Sequence, residues 1–125
     1  WACDVARDPF GDGYDADTGT GSLATEMVVT SVTSPMVDGA LSSAANGLFG
    51  LALPHVHWVD TEHRGYVLLD VTPERVQGEW YHAETIKEPL YTHRLARAYA
   101  AFAGQVGLRE RFEPTEERVG GPDLA

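Results

Sequence analysis

The stretch that most constrains this chain is Arg64 to Ile86, RGYVLLDVTPERVQGEWYHAETI. Two apolar runs, Tyr66–Val71 and Val76–His82, flank Thr72-Pro73-Glu74-Arg75. The first run is short, rich in β-branched and aromatic residues, and bounded by Gly65 and Pro73, which is the pattern of a strand. The second alternates, with Val76, Gly78, Trp80 and His82 on one face and Gln77, Glu79 and Tyr81 on the other, the period of a half-buried strand. Pro73 has no backbone N–H and a fixed φ, so it belongs in the turn between them. The stretch is therefore a β-hairpin and the expected core of the scaffold. A hairpin by itself carries no chemistry.

With 125 residues the chain is at most one ordinary domain. Its 19 acidic against 9 basic residues give a formal charge of −10. A field of that sign repels phosphate backbones, which argues against nucleic acid and against an anionic membrane surface. An anionic substrate would need a cation to mediate. No apolar run reaches the roughly 18 residues of a transmembrane span. Cys3 is the only cysteine, so no internal disulfide can form. The opening Trp1-Ala2-Cys3-Asp4 has neither an initiator Met nor a basic signal region, and reads as the cut end of a fragment.

Residues 1–21 mix Asp4, Asp8, Asp12, Asp15 and Asp17 with several glycines. An EF-hand loop begun at Asp15 would need glycine at its sixth position, where Thr20 stands, so an Asx-turn-rich surface loop is the expectation. Leu23 to Val32 is dense in β-branched residues and predicts a strand buried at its centre. Ser34-Pro35 ends it. Ala40, Leu41, Ala44, Ala45 and Leu48 recur at helical spacing, with Asp38 placed to cap, which predicts a helix over 37–47 and an irregular segment from there to Pro54. Gly47 and Gly50 weaken its end by about 1 kcal/mol each relative to Ala. His55 to Asp60, HVHWVD, alternates and predicts another strand, with His55 and His57 on one face. Two imidazoles so placed could serve a metal, but no third ligand stands nearby in a recognised zinc spacing. Trp58 and Trp80 could stack on a ligand or simply fill the core. His93 to Ala103 is ambiguous: Ala and Arg favour helix, while Leu95/Arg97/Tyr99 would serve a strand. Residues 113–125 have no apolar pattern and read as an extended or disordered tail.

Nucleophile motifs are missing. There is no Gly-x-Ser-x-Gly elbow for a serine hydrolase, and Gly19-Thr20-Gly21 is too short for a phosphate loop. Cys3 has no CxxC partner.

Several segments in order are similar to the PhoD-like alkaline phosphatases, within the calcineurin-like metallophosphoesterases. They are Val29-Thr30-Ser31-Val32-Thr33-Ser34-Pro35, Pro54-His55-Val56-His57-Trp58-Val59-Asp60, Arg64 through Val76, and Glu79-Trp80-Tyr81. The resemblance covers residues 1–86 and implies an α/β (α+β) fold: part of a two-sheet β-sandwich flanked by helices, mostly strands, with one helix near 37–47. It makes His93–Ala103 a strand, and residues 1–112 the C-terminal part of a metallophosphatase domain.

The same resemblance implies an enzyme that hydrolyses phosphate mono- or diesters with two metal ions, calcium and iron, and that is secreted or periplasmic. Trp1-Ala2 looks like the pair that follows the family's Gly-Asp-x-His motif. The main metal ligands are therefore expected in an upstream part of the same phosphatase, the chain's expected partner. In the family, Asn precedes the Pro-His pair and Lys stands two residues beyond its His; here these are Leu53 and His57. His55 matches the family's His. His55 and His57 are the candidate substrate-binding residues, with packing the alternative for His55; no catalytic residue and no metal ligand is assigned. The alternative from another class is an independent β-rich binding or interaction domain without catalysis.

Overall fold

The computed structural model describes residues 1–32, 40–85, 87–88 and 92–116. It is mostly β, with one helix. In chain order the elements are β1 (Ala2–Ala6), β2 (Ser22–Met27), α1 (Ala40–Ala52), β3 (Val56–Trp58), β4 (Gly65–Val71), β5 (Arg75–Ala83), β6 (His93–Phe102) and β7 (Arg109–Arg111). They form two antiparallel sheets, one of order β2-β1-β3 and one of order β4-β5-β6-β7. No helix among the described residues is long and apolar enough to cross a membrane.

The hairpin forms as its sequence dictates. β4 and β5 pair in unbroken register from Gly65↔His82 to Val71↔Val76. Thr72 closes the turn: its N–H donates to the Arg75 carbonyl, and its hydroxyl accepts from the Glu74 and Arg75 N–H groups. β5 lies inside its sheet and is the best-buried strand. Its Gln77/Glu79 face is not left to solvent, against the half-buried reading: Glu79 is 1 % exposed. Burial of these polar groups is tolerable because they are bonded. Gln77 Nε2 donates to Glu79 Oε1 and to the Glu113 carbonyl, and the Thr115 N–H and the Tyr81 hydroxyl both donate to the Glu79 carboxylate. Residues 113–115 are thus tied to this face.

β6 is a strand over its whole length, as the resemblance implies and helix propensity does not. Its pairing with β5 supplies what propensity lacked, and Ala98 and Ala100 are fully buried. Two other elements differ from expectation. β2 stops at Met27 and is largely exposed, Leu23 at 70 %. It is an edge strand paired only to β1, so Val28 leaves the ladder to meet Trp1 and Trp80. The helix does not end at Gly47 but runs to Ala52: a glycine weakens a helix by about 1 kcal/mol yet keeps its backbone N–H and carbonyl for the helical ladder. The expected helix start at 37–39, with the Asp38 cap, lies outside the described residues, as do the strand end at Ser34-Pro35 and the tail beyond 116.

The core lies between the sheets. Ala2, Met27 and Trp58 of the first meet Val67, Trp80, Tyr99 and Ala101 of the second, with Leu108. Trp58 and Trp80 pack edge to face at 5.5 Å. Two polar stitches fix the stacking: Trp80 Nε1 donates to the Val28 carbonyl at 2.9 Å, and the Tyr99 hydroxyl to the His57 carbonyl at 3.3 Å. Both tryptophans are therefore structural, since their faces are occupied by protein.

Candidate functional site

Where the sheets meet, one edge of the molecule gathers three titratable side chains. β3 runs out at Trp58 and the chain turns sharply through 59–64 before entering β4. Asp60 makes that turn: its Oδ1 accepts the N–H groups of Glu62 at 2.8 Å and His63 at 2.9 Å. The helix pins the same turn, because Asn46 Oδ1 accepts both the N–H and the hydroxyl of Thr61. With Oδ1 committed, Oδ2 faces two imidazoles. His63 Nδ1 lies 2.9 Å from it and His82 Nε2 3.6 Å. The three ligand-type atoms of Asp60, His63 and His82 all lie within 4.8 Å of one another.

His82 arrives from the hairpin. The register that pairs it with Gly65 sets it beside the turn, and a side chain at 65 would collide with the Tyr81 carbonyl oxygen. Its ring stacks on Trp58 and lies parallel to the His63 ring, centroids 4.4 Å apart. It is 6 % exposed, and its Nδ1 has no hydrogen-bond partner. Burial drives its pKa down to about 4, against the opposing pull of Asp60, so the ring is neutral at pH 7. Burial by itself would push the Asp60 carboxyl up; the N–H groups of His63 and Glu62 and the His63 ring more than offset this and hold it below its ordinary value. A small cavity of about 10 Å³ adjoins the cluster, lined by Tyr66, Trp58 and Tyr81 among others, close to the least volume that holds one water.

A second acid–histidine group lies inside the molecule. Asp4 on β1 is fully buried. Its Oδ1 accepts the Leu108 N–H at 2.9 Å and its Oδ2 the Tyr14 hydroxyl at 3.1 Å. His57 Nε2 approaches Oδ2 at 3.1 Å, an ion-pair contact without hydrogen-bond alignment. Burial pushes the Asp4 carboxyl up, but His57 and the Leu108 N–H outweigh it and the net shift is downward. Tyr14, half-buried beside that charge, is raised beyond the ordinary phenol range by desolvation and by Asp4.

The two histidines picked out as substrate-binding candidates have different surroundings. His57 faces Asp4 and the Tyr99 ring. His55, just before β3, meets the Phe10 ring and lines a mainly apolar cavity of about 410 Å³ together with Trp1, Cys3, Phe49 and Leu53. Its Nδ1 is buried without a partner. Neither belongs to the three-residue cluster. Asp60, His63 and His82 were not singled out in the sequence; the hairpin register, which sets His82 opposite Gly65, was the signal that could have found them. Cys3 is buried, and burial followed by Glu26 and Asp4 raises its thiol pKa, the opposite of nucleophile activation. Asp15 forms the expected Asx turn, its Oδ1 accepting the N–H groups of Asp17 and Thr18.

A family model, PhoD-like phosphatase, matches residues 1–80, which run from β1 into β5 and include both carboxylate groups but stop just short of His82. The chain belongs to the PhoD-like phosphatase family. Neither a curated protein nor a solved structure matches it.

Proposed function

We propose that this chain is the C-terminal part of an exported, metal-dependent alkaline phosphatase that hydrolyses phosphate mono- or diesters, and that it supplies scaffold and pocket wall while other parts of the protein hold the catalytic metals. The family match over residues 1–80 carries the reading. The donor set supports the division of labour. A calcium ion takes six to eight oxygen ligands, and a two-metal centre needs donors for a second ion as well. The one cluster among the described residues offers a single carboxylate and two imidazoles, which does not fit a calcium–iron pair. No catalytic step is therefore assigned to these residues. Apolar side chains left in solvent, Leu51 at 90 % and Leu48, Phe10 and Phe112 besides, mark surface suited to packing against more protein. His55, on the wall of the apolar cavity, is the residue we assign to the substrate side, and His57 is held behind it by Asp4.

The test is hydrolysis of p-nitrophenyl phosphate and its bis ester by the 125-residue chain and by the longest polypeptide its gene encodes. Each is stripped with chelator and then given calcium and iron. Turnover restored by metal in the longer polypeptide, and none in the chain, is the expected outcome. Turnover by the chain alone, or none in either, overturns it.

A further inference from the structure

We infer that Asp60, His63 and His82 form a binding site for a single first-row divalent ion of the zinc class, distinct from the phosphatase's catalytic metals. The inference stands on donor chemistry and geometry, independently of the phosphatase reading.

Two imidazoles and one carboxylate are a ligand set for zinc and its neighbours, and a poor one for calcium or magnesium. Ligands about 2.0–2.1 Å from a tetrahedral ion stand roughly 3.3 Å from each other. The separations from Asp60 Oδ2, 2.9 Å to His63 Nδ1 and 3.6 Å to His82 Nε2, bracket that value. The remaining nitrogen pair lies within 4.8 Å. The two Asp60–histidine separations thus already suit a shared ion, and it is the imidazole pair that must reorient.

The carboxylate side of the site is held in place. A ligating carboxylate needs its other oxygen held, and Asp60 Oδ1 is fixed by the two N–H groups of its own turn, which α1 holds through Asn46. His82 is more than nine-tenths buried, and its Nε2 points at the cluster from beyond hydrogen-bond distance of Asp60. A cation at that Nε2 would bridge it to Asp60 Oδ2, and the adjoining cavity of about 10 Å³ is at the lower limit for one water as a further ligand. The movable part is His63, whose side chain is 41 % exposed. Parallel stacked rings aim their lone pairs along parallel lines, so His63 must tilt off His82 to close on an ion.

The test is titration of zinc into the metal-free 125-residue chain by calorimetry, with ring-nitrogen NMR of the histidines. We expect one zinc per chain, with the ring signals of His63 and His82 shifting and those of His55 and His57 staying in place. His63→Gln, at a half-exposed position that leaves the fold alone, should weaken binding by at least tenfold, in line with loss of a ligand. His82→Phe, which keeps a ring in the stack, should abolish it. Calcium should not compete. Zinc binding of unchanged affinity in both variants, shifts confined to other histidines, or no saturable binding overturns the site.

Discussion

Asp4 and Asp60 each meet two rings, and the contrast between them separates a structural joint from an adaptable one. Asp4 is sealed. One oxygen holds the Leu108 backbone, the other the Tyr14 hydroxyl with His57 alongside, and no solvent reaches it. It rivets β1 to the loop of residues 11–21, to β3 and to the segment before β7. Asp60 also has both oxygens bonded, one to the backbone of its turn and one to His63 Nδ1 with His82 alongside at 3.6 Å, but its partner His63 is half-exposed and the Nδ1 of His82 is orphaned. A carboxylate closed off from solvent on every side offers a ligand no way in. One beside a half-exposed imidazole does.

The largest effect should come from breaking the sealed joint. Asp4→Ala strands the Leu108 N–H and the Tyr14 hydroxyl inside the protein, so we expect a loss of about 3–5 kcal/mol in urea denaturation, enough to threaten folding. A loss below about 1 kcal/mol would show that water or a shifted side chain replaces the carboxylate, and the contrast with Asp60 would fail.

Next is Gly65→Ala. The added methyl meets the Tyr81 carbonyl oxygen, backbone that cannot swing aside, and overpacking of this kind costs about 2–3 kcal/mol. The damage should be one-sided. His82 pairs with Gly65, whereas Asp4 sits in the other sheet, so the ring signals of His82 and His63 should move while that of His57 holds. Equal displacement of all three would mean that the clusters are mechanically one.

Much of this architecture is legible in the chain, for local reasons. Pro73 and the alternation after it define the hairpin and its register without any long-range information. β6 is illegible by propensity, since Ala and Arg prefer helix and only pairing with β5 overrides them. The helix end is not legible, because a glycine weakens a helix without stopping it. β2 looked buried because its composition is that of a central strand, while its edge position is set by the topology. The site is legible only in halves: Asp60 and His63 are turn neighbours, and His82 joins them only once the hairpin register sets it opposite Gly65.

Acid should separate the carboxylates less strongly. Both are held below the ordinary value of 3.8 in the folded state, so each contributes stability that is complete above that pH and lost as pH falls through the folded value. Asp4 is fully buried, where solvent screens the charge and its partners least, whereas Asp60 is only half-buried. The acid limb of a melting-temperature profile below about pH 4 should therefore flatten more in Asp4→Asn than in Asp60→Asn. The reverse order would place the stronger acid-sensitive contact at the exposed cluster.

The smallest effect is the most discriminating. His82→Phe, measured with chelator present, replaces one flat ring by another of similar size, keeps the stack on Trp58, and removes a buried nitrogen that has no partner. Removing an unsatisfied polar atom from a core is close to neutral or stabilising, so the change in urea stability should stay within about 1 kcal/mol. His57→Phe, by contrast, takes a ring nitrogen away from the buried Asp4 charge and should cost more, about 1–3 kcal/mol. If His82→Phe proves the costlier of the two, then His82 is a structural histidine like His57, and what distinguishes Asp60 from Asp4 is exposure alone.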